Sequence, residues 1–72
     1  MRYFFHVLGS GRIYDDQVGE DFANDEEAME NAGAIARELG GDDDLHFSSV
    51  QVIDESGKEI GQVEITSNRP AN

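Results

Sequence analysis

The segment Tyr3-Phe4-Phe5-His6-Val7-Leu8 carries large apolar or aromatic groups at consecutive positions, which constrains this chain more than any other feature. Its composition is that of a β-strand, and strand side chains alternate between faces. Tyr3, Phe5 and Val7 therefore point one way, and Phe4, His6 and Leu8 the other. A chain of 72 residues with a single helical segment can cover one face of a sheet but has little left for the second. Either a partner chain covers that second face, or large apolar groups stay in water.

Size sharpens the problem. A domain this small buries only about 60% of the surface its unfolded chain exposes. The chain has no cysteine, so neither disulfides nor a thiolate zinc site can supplement the core. Sixteen acidic residues against five basic ones give a net charge of −11. Nucleic-acid affinity comes largely from Lys and Arg neutralising phosphates, and five scattered cations make no such footprint. The same charge argues against an anionic membrane surface. The apolar stretch Tyr3–Leu8 is too short for a signal-peptide core, and no run approaches the roughly 20 apolar residues of a membrane span. The expectation is a cytoplasmic protein whose partner is protein.

The chain reads as strand, turn, strand, helix, loop, strand, turn, strand. Arg2–Leu8 is the first strand, Gly9-Ser10-Gly11 the turn, and Arg12–Tyr14 the return. Asp15–Gly19 forms a further turn, with Gly19 suited to positive φ. The helix is expected over Asn24–Leu39. Asn24 is its N-cap, and Glu27 completes a capping-box pattern. Asp25, Glu26 and Glu27 place negative charge where the helix dipole favours it. Ala28, Met29, Ala32, Ile35, Ala36 and Leu39 form the apolar stripe, and Gly40-Gly41 ends it. Gly33, inside the helix, suggests close approach of a strand. Asp42-Asp43-Asp44 is a solvated loop, and Leu45 and Phe47 anchor the return to the sheet. Ser49–Ile53 and Glu59–Thr66 are the last two strands, joined by a hairpin in which Gly57 takes the left-handed position. On the final strand Gly61, Val63 and Ile65 face inward, with Gln62 and Glu64 in water. The expected fold is α+β, in ββαββ order, with an antiparallel four-stranded sheet and one helix on one face. Residues 1–67 make the single domain and residues 68–72 a flexible tail. Which face of the first strand lies under the helix is open.

No catalytic, cofactor-binding or metal site is expected. His6 and His46 are the only imidazoles. Together with an aspartate from Asp42–Asp44 they would suit a divalent metal; the plainer reading is two histidines that never meet. The calcium-loop pattern fails at Asp15, because Gln17 and Glu20 stand where an aspartate or asparagine and a glycine are required. Gly9-Ser10-Gly11 matches neither a nucleophile elbow nor a phosphate loop. Ser48 and Ser49 have no base and orienting group. The chain reads as no enzyme.

The opening Arg2-Tyr3-Phe4-Phe5-His6-Val7 resembles an uncharacterised family of small bacterial proteins that begin with a similar aromatic-histidine strand. The resemblance continues through Asp15-x-x-x-Gly19, Phe22, the acidic helix start with Ala28, and the Asp54-x-x-Gly57 hairpin, and so covers nearly the whole chain. It implies a fold and a lineage but no activity. A weaker similarity, through Glu26-Glu27-Ala28, is to HicB-type antitoxins, whose appended DNA-binding module this sequence lacks.

The functional expectation is a small acidic interaction module that self-associates through the open sheet face. The residues expected there are Phe4, His6, Leu8, Gln51, Ile53 and Gln62, and the simplest partner is a second copy in a homodimer. The alternatives are an acidic decoy or antitoxin-like inhibitor of a basic protein, and a metal-dependent enzyme or sensor built on the two histidines.

Overall fold

A computed structural model describes residues 1–9, 11–40 and 47–65. The elements run β1 (Arg2–Gly9), β2 (Arg12–Tyr14), β3 (Glu20–Asp21), α1 (Asp25–Gly40), β4 (Phe47–Asp54) and β5 (Glu59–Glu64). The fold is α+β, with one helix and an antiparallel sheet ordered β2-β1-β4-β5, in which β3 also pairs with β1. The ββαββ expectation thus misses a strand. Glu20-Asp21, between the expected turn and the expected helix, pairs with Arg2-Tyr3. A two-residue strand of acidic side chains has no alternation to betray it.

β1 is interior to the sheet. Along one edge it pairs with β4 over nearly its whole length, from Tyr3↔Asp54 to Gly9↔Phe47. Its other edge is shared by two short strands. β2 takes Val7–Gly9 and β3 takes Arg2-Tyr3.

The core consists of Tyr3, Phe5, Ala28, Ala32, Ala36, Val50 and Val52. Phe5 faces Val52 and Val7 faces Val50 across β1 and β4, so these strand residues share one side of the sheet. The first-strand parity left open by the sequence falls to Tyr3, Phe5 and Val7. Ala28, Ala32 and Ala36 recur every four residues on α1 and are the helix's buried residues. Alanine lets the helix axis come close, while Met29 and Ile35 flank it half-buried. The close approach expected at Gly33 lies elsewhere. A Cβ there would meet nothing nearer than an Arg37 nitrogen at 3.7 Å, whereas at Gly61 it would sit 3.1 Å from Met29 Cε and 3.3 Å from its sulfur. Met29 therefore packs onto bare β5 backbone.

Local signals act largely as read. Asn24 Oδ1 accepts the Glu27 N–H at 2.9 Å, and Glu27 reaches back to the N–H of Ala23 at 3.4 Å, one residue before the position a capping box specifies. In the β4–β5 hairpin Gly57 has φ 91°. Ile60 is the extra residue of a bulge, since Val52 pairs with Gly61 but Ile53 with Glu59. The bulge lets Ile60 pack toward the core while Glu59 shares the side of Ile53. Gly61, Val63 and Ile65 are half-buried and Gln62 and Glu64 exposed, as expected. Leu45, Asp42–Asp44 and the 68–72 tail lie outside the described residues.

Tyr3 joins the layers. Its buried ring ends in a hydroxyl that donates to Asp25 Oδ1 at 2.7 Å, on the first turn of α1. The bond to Asp25, with burial adding to it, pushes the phenol up to about 12. A group whose folded-state value is raised stabilises fully below its unfolded value, about 10, and loses that contribution as pH rises through the folded value. In a Tyr14→Phe variant the remaining phenol should ionise only near pH 12, together with loss of structure by circular dichroism; ionisation near 10 in a folded protein would contradict the bond. Phe5→Ala should cost about 3–5 kcal/mol in denaturant unfolding. Ile35→Ala should cost less, because Ile35 is only half-buried.

Candidate functional site

Between β2 and β3 the edge of β1 has a gap. Val7 pairs with Tyr14 and Tyr3 with Glu20, which leaves the Phe5 N–H facing the connector Asp15–Gly19 with no strand opposite. The Asp16 carboxylate fills the gap. Its Oδ2 accepts the Phe5 N–H at 3.1 Å, and its Oδ1 accepts those of Val18 at 3.1 Å and Gly19 at 3.0 Å. Burial pushes the Asp16 carboxyl up, but the N–H donors of Gly19, Phe5 and Val18 outweigh it and hold the group below the usual carboxylate range. The Asp16 N–H in turn donates to His6 Nδ1 at 3.0 Å. One residue thus stands in for a missing stretch of strand.

Gly19 closes the connector. Its φ is 75°, and a Cβ would come within 2.9 Å of Arg2 Cγ, Phe4 Cε1 and the Tyr3 carbonyl oxygen. Conformation and space both demand glycine here. Arg2 ties the same loop from outside, donating to the Val18 carbonyl at 2.6 Å and standing 3.5 Å from Asp21. On the other side of Tyr3, buried Asp54 closes the β4–β5 hairpin in a similar way. It accepts from the Ser56 hydroxyl at 2.6 Å and from the N–H groups of Ser56 and Lys58, at 2.9 and 3.0 Å. The Ser56 hydroxyl and then the Lys58 N–H hold the Asp54 carboxyl below its usual range.

The six residues expected at an interface fall on one side of the sheet, opposite the core. Phe4 faces Ile53, His6 faces Gln51, and Gln51 faces Gln62. Gln62 is exposed and the other five are half-buried. The side divides in two. Toward β5 it is polar, where the Gln51 and Gln62 amides donate to Glu59 Oε1 at 2.9 and 3.2 Å. Toward β2 it is mostly apolar: Phe4 and Leu8 lie to either side of His6 on β1, Leu8 pairs with Ile13, which is 64% exposed, and Ile53 lies opposite Phe4 on β4. Val18, 75% exposed, precedes the glycine that packs against Phe4. Sequence reading missed Ile13 and Val18. The signal for Ile13 was its register, since a tight turn after Gly9 sets it across from Leu8.

The two-histidine metal reading concerns His46 and Asp42–Asp44, which lie outside the described residues. Among the described residues no three His, Cys, Asp or Glu side chains stand close enough together to hold a metal ion. No described helix is long and apolar enough to cross a membrane.

A family model described as a domain of unknown function, DUF6894, matches residues 2–66. The chain belongs to this family. Membership gives a lineage whose function is unknown. No curated protein and no solved structure matches the chain, and similarity to HicB-type antitoxins is not shown. Several residues behind the family resemblance now have physical roles. In this DUF6894 chain the aromatic-histidine strand supplies Tyr3 and Phe5 to the core and His6 to the connector. Gly19 is the connector's pivot and Asp54 the hairpin's acceptor. The aspartate that works in the connector is Asp16 rather than Asp15.

Gly19→Ala should therefore destabilise the protein by about 1–3 kcal/mol for the backbone alone, with the contacts to Phe4 and Arg2 adding to it. Gly11→Ala is the control, since Gly11 also has positive φ but nothing within 4 Å of a Cβ. Chemical denaturation of both variants checks this. Equal losses would mean that space at Gly19 is immaterial.

Proposed function

We propose that this chain is a small acidic protein-interaction module, that its helix covers the Tyr3–Phe5 side of the sheet alone, and that the opposite side self-associates. The carrying observation is the apolar half of that side, Phe4, Leu8, Ile53 and Ile13, with Ile13 the most exposed of the four. Apolar groups gathered on one surface are a usual mark of an interaction site. The thin core supports the same reading, since three of the seven buried apolar residues among those described are alanines. A second copy would add core that a chain of this size lacks. A two-fold homodimer is the simplest closed arrangement. Gln51, Gln62 and Glu59 would then form the polar rim, with His6 between Phe4 and Leu8. On this reading the protein works in the cytoplasm by binding protein, and takes no nucleic acid, membrane or cofactor.

The charge sets a condition on assembly. Each copy brings −11, so association should tighten from low to moderate salt, where screening acts over about 8–10 Å. Sedimentation velocity across a concentration series should show a monomer–dimer equilibrium with that salt dependence. Ile13→Glu, at a site open enough to spare the fold, should weaken it about tenfold or more, on the order of 1.4 kcal/mol. A wild-type monomer at high micromolar concentration in moderate salt would sink the proposal. A dimer indifferent to Ile13→Glu would show that the surface lies elsewhere.

A further inference from the structure

We infer that His6 is a pH-operated latch on the connector between β2 and β3, exchanging the Asp16 amide for the Asp15 carboxylate when it takes up a proton. Two consecutive residues present opposite chemistry to one ring nitrogen. The Asp16 N–H lies 3.0 Å from Nδ1 and can only donate; Asp15 Oδ1 lies 3.6 Å from the same atom and can only accept. In the neutral ring the Nδ1 lone pair receives the amide, so the ring proton sits on Nε2. Protonation puts a hydrogen on Nδ1. The amide then loses its acceptor, and the nearby carboxylate gains a donor.

The surroundings allow that exchange to stay local. The imidazole is held on the central strand, its side chain 19% exposed, whereas the Asp15 side chain is 64% exposed and free to swing. The charged groups facing the ring from the connector are Asp15 and Asp16. From β4 it faces Gln51, a neutral amide turned onto Glu59 of β5. The Asp16 carboxylate keeps its own three N–H donors in either state, so one peptide moves and the sheet edge stays capped. Histidine is the side chain whose ordinary charge change falls in the physiological range. The latch requires no partner chain.

Nuclear magnetic resonance on a His46→Gln variant, which leaves His6 as the sole imidazole, tests this directly. At neutral pH the ring should carry its proton on Nε2, and the Asp16 amide should exchange slowly with solvent. On acidification the Asp16 amide should shift in step with the ring and lose protection, while the Phe5 amide, held by the Asp16 carboxylate, keeps its own. Asp15→Asn, at an exposed position, should leave the imidazolium Nδ1–H exchanging at the solvent rate. A neutral ring with its proton on Nδ1 would overturn the inference. So would an Asp16 amide indifferent to the ring's titration, or an Nδ1–H signal that Asp15→Asn does not change.

Discussion

Tyr3 is held by every layer of the fold at once. Its backbone pairs with Glu20 of β3 on one side and Asp54 of β4 on the other. Its ring lies in the core and stands 6.2 Å from the ring of Phe22, and its hydroxyl binds the first turn of α1. Hydrophobic burial is non-directional and would tolerate a sliding helix. The bond from a buried hydroxyl to Asp25 is directional, and it fixes where along the sheet the helix begins. Leaving such a hydroxyl unpaired in the core is costly, so register and burial enforce one another.

Asp16 meets a related constraint at the sheet edge. Among the described residues β1 has no second full-length neighbour, and two strands of three and two residues leave a gap. An unpaired, half-buried N–H at Phe5 would be expensive. A carboxylate is a suitable substitute, because it accepts from several donors and needs no strand geometry. The polar connector can therefore stay short, and His6 supplies its second tie from the opposite face. The strand's histidine, read from the sequence as an interface residue, has a partner within its own chain.

What could be read from the sequence divides along a physical line. Signals within one element were legible. Asn24 and Glu27 at the helix start, the alanine-rich stripe, and Gly57 in the hairpin each depend on neighbours a few residues away. The partition of β1 was half legible, because both faces are apolar and only packing against Val50 and Val52 decides between them. Features that depend on distant pieces meeting were hidden. β3 exists only because β1 lies beside it. The tight contact belongs to Gly61 and Met29 rather than Gly33, which no local rule distinguishes. Asp15 and Asp16 are chemically alike, and only the gap at Phe5 selects the second. For the candidate surface, strand alternation sufficed to bring Phe4, His6, Leu8, Gln51, Ile53 and Gln62 to one side. Ile13 joins them only through the register of the β1–β2 hairpin.

The position of β1 also bears on the order in which the fold can assemble. The β4–β5 hairpin is local in sequence, pre-bent by Asp54 and Gly57, and so cheap in loop-closure entropy. β1, the strand that all the others in the sheet except β5 hydrogen-bond to, has its long partner on the far side of the helix. During synthesis it emerges before its long partner and then waits, with the Tyr3–Leu8 segment uncovered, until β4 leaves the ribosome. Vectorial synthesis thus exposes the most sheet-forming segment of the chain for longest. The acidic connector and helix start that follow it place repulsive charge between neighbouring nascent chains during that interval.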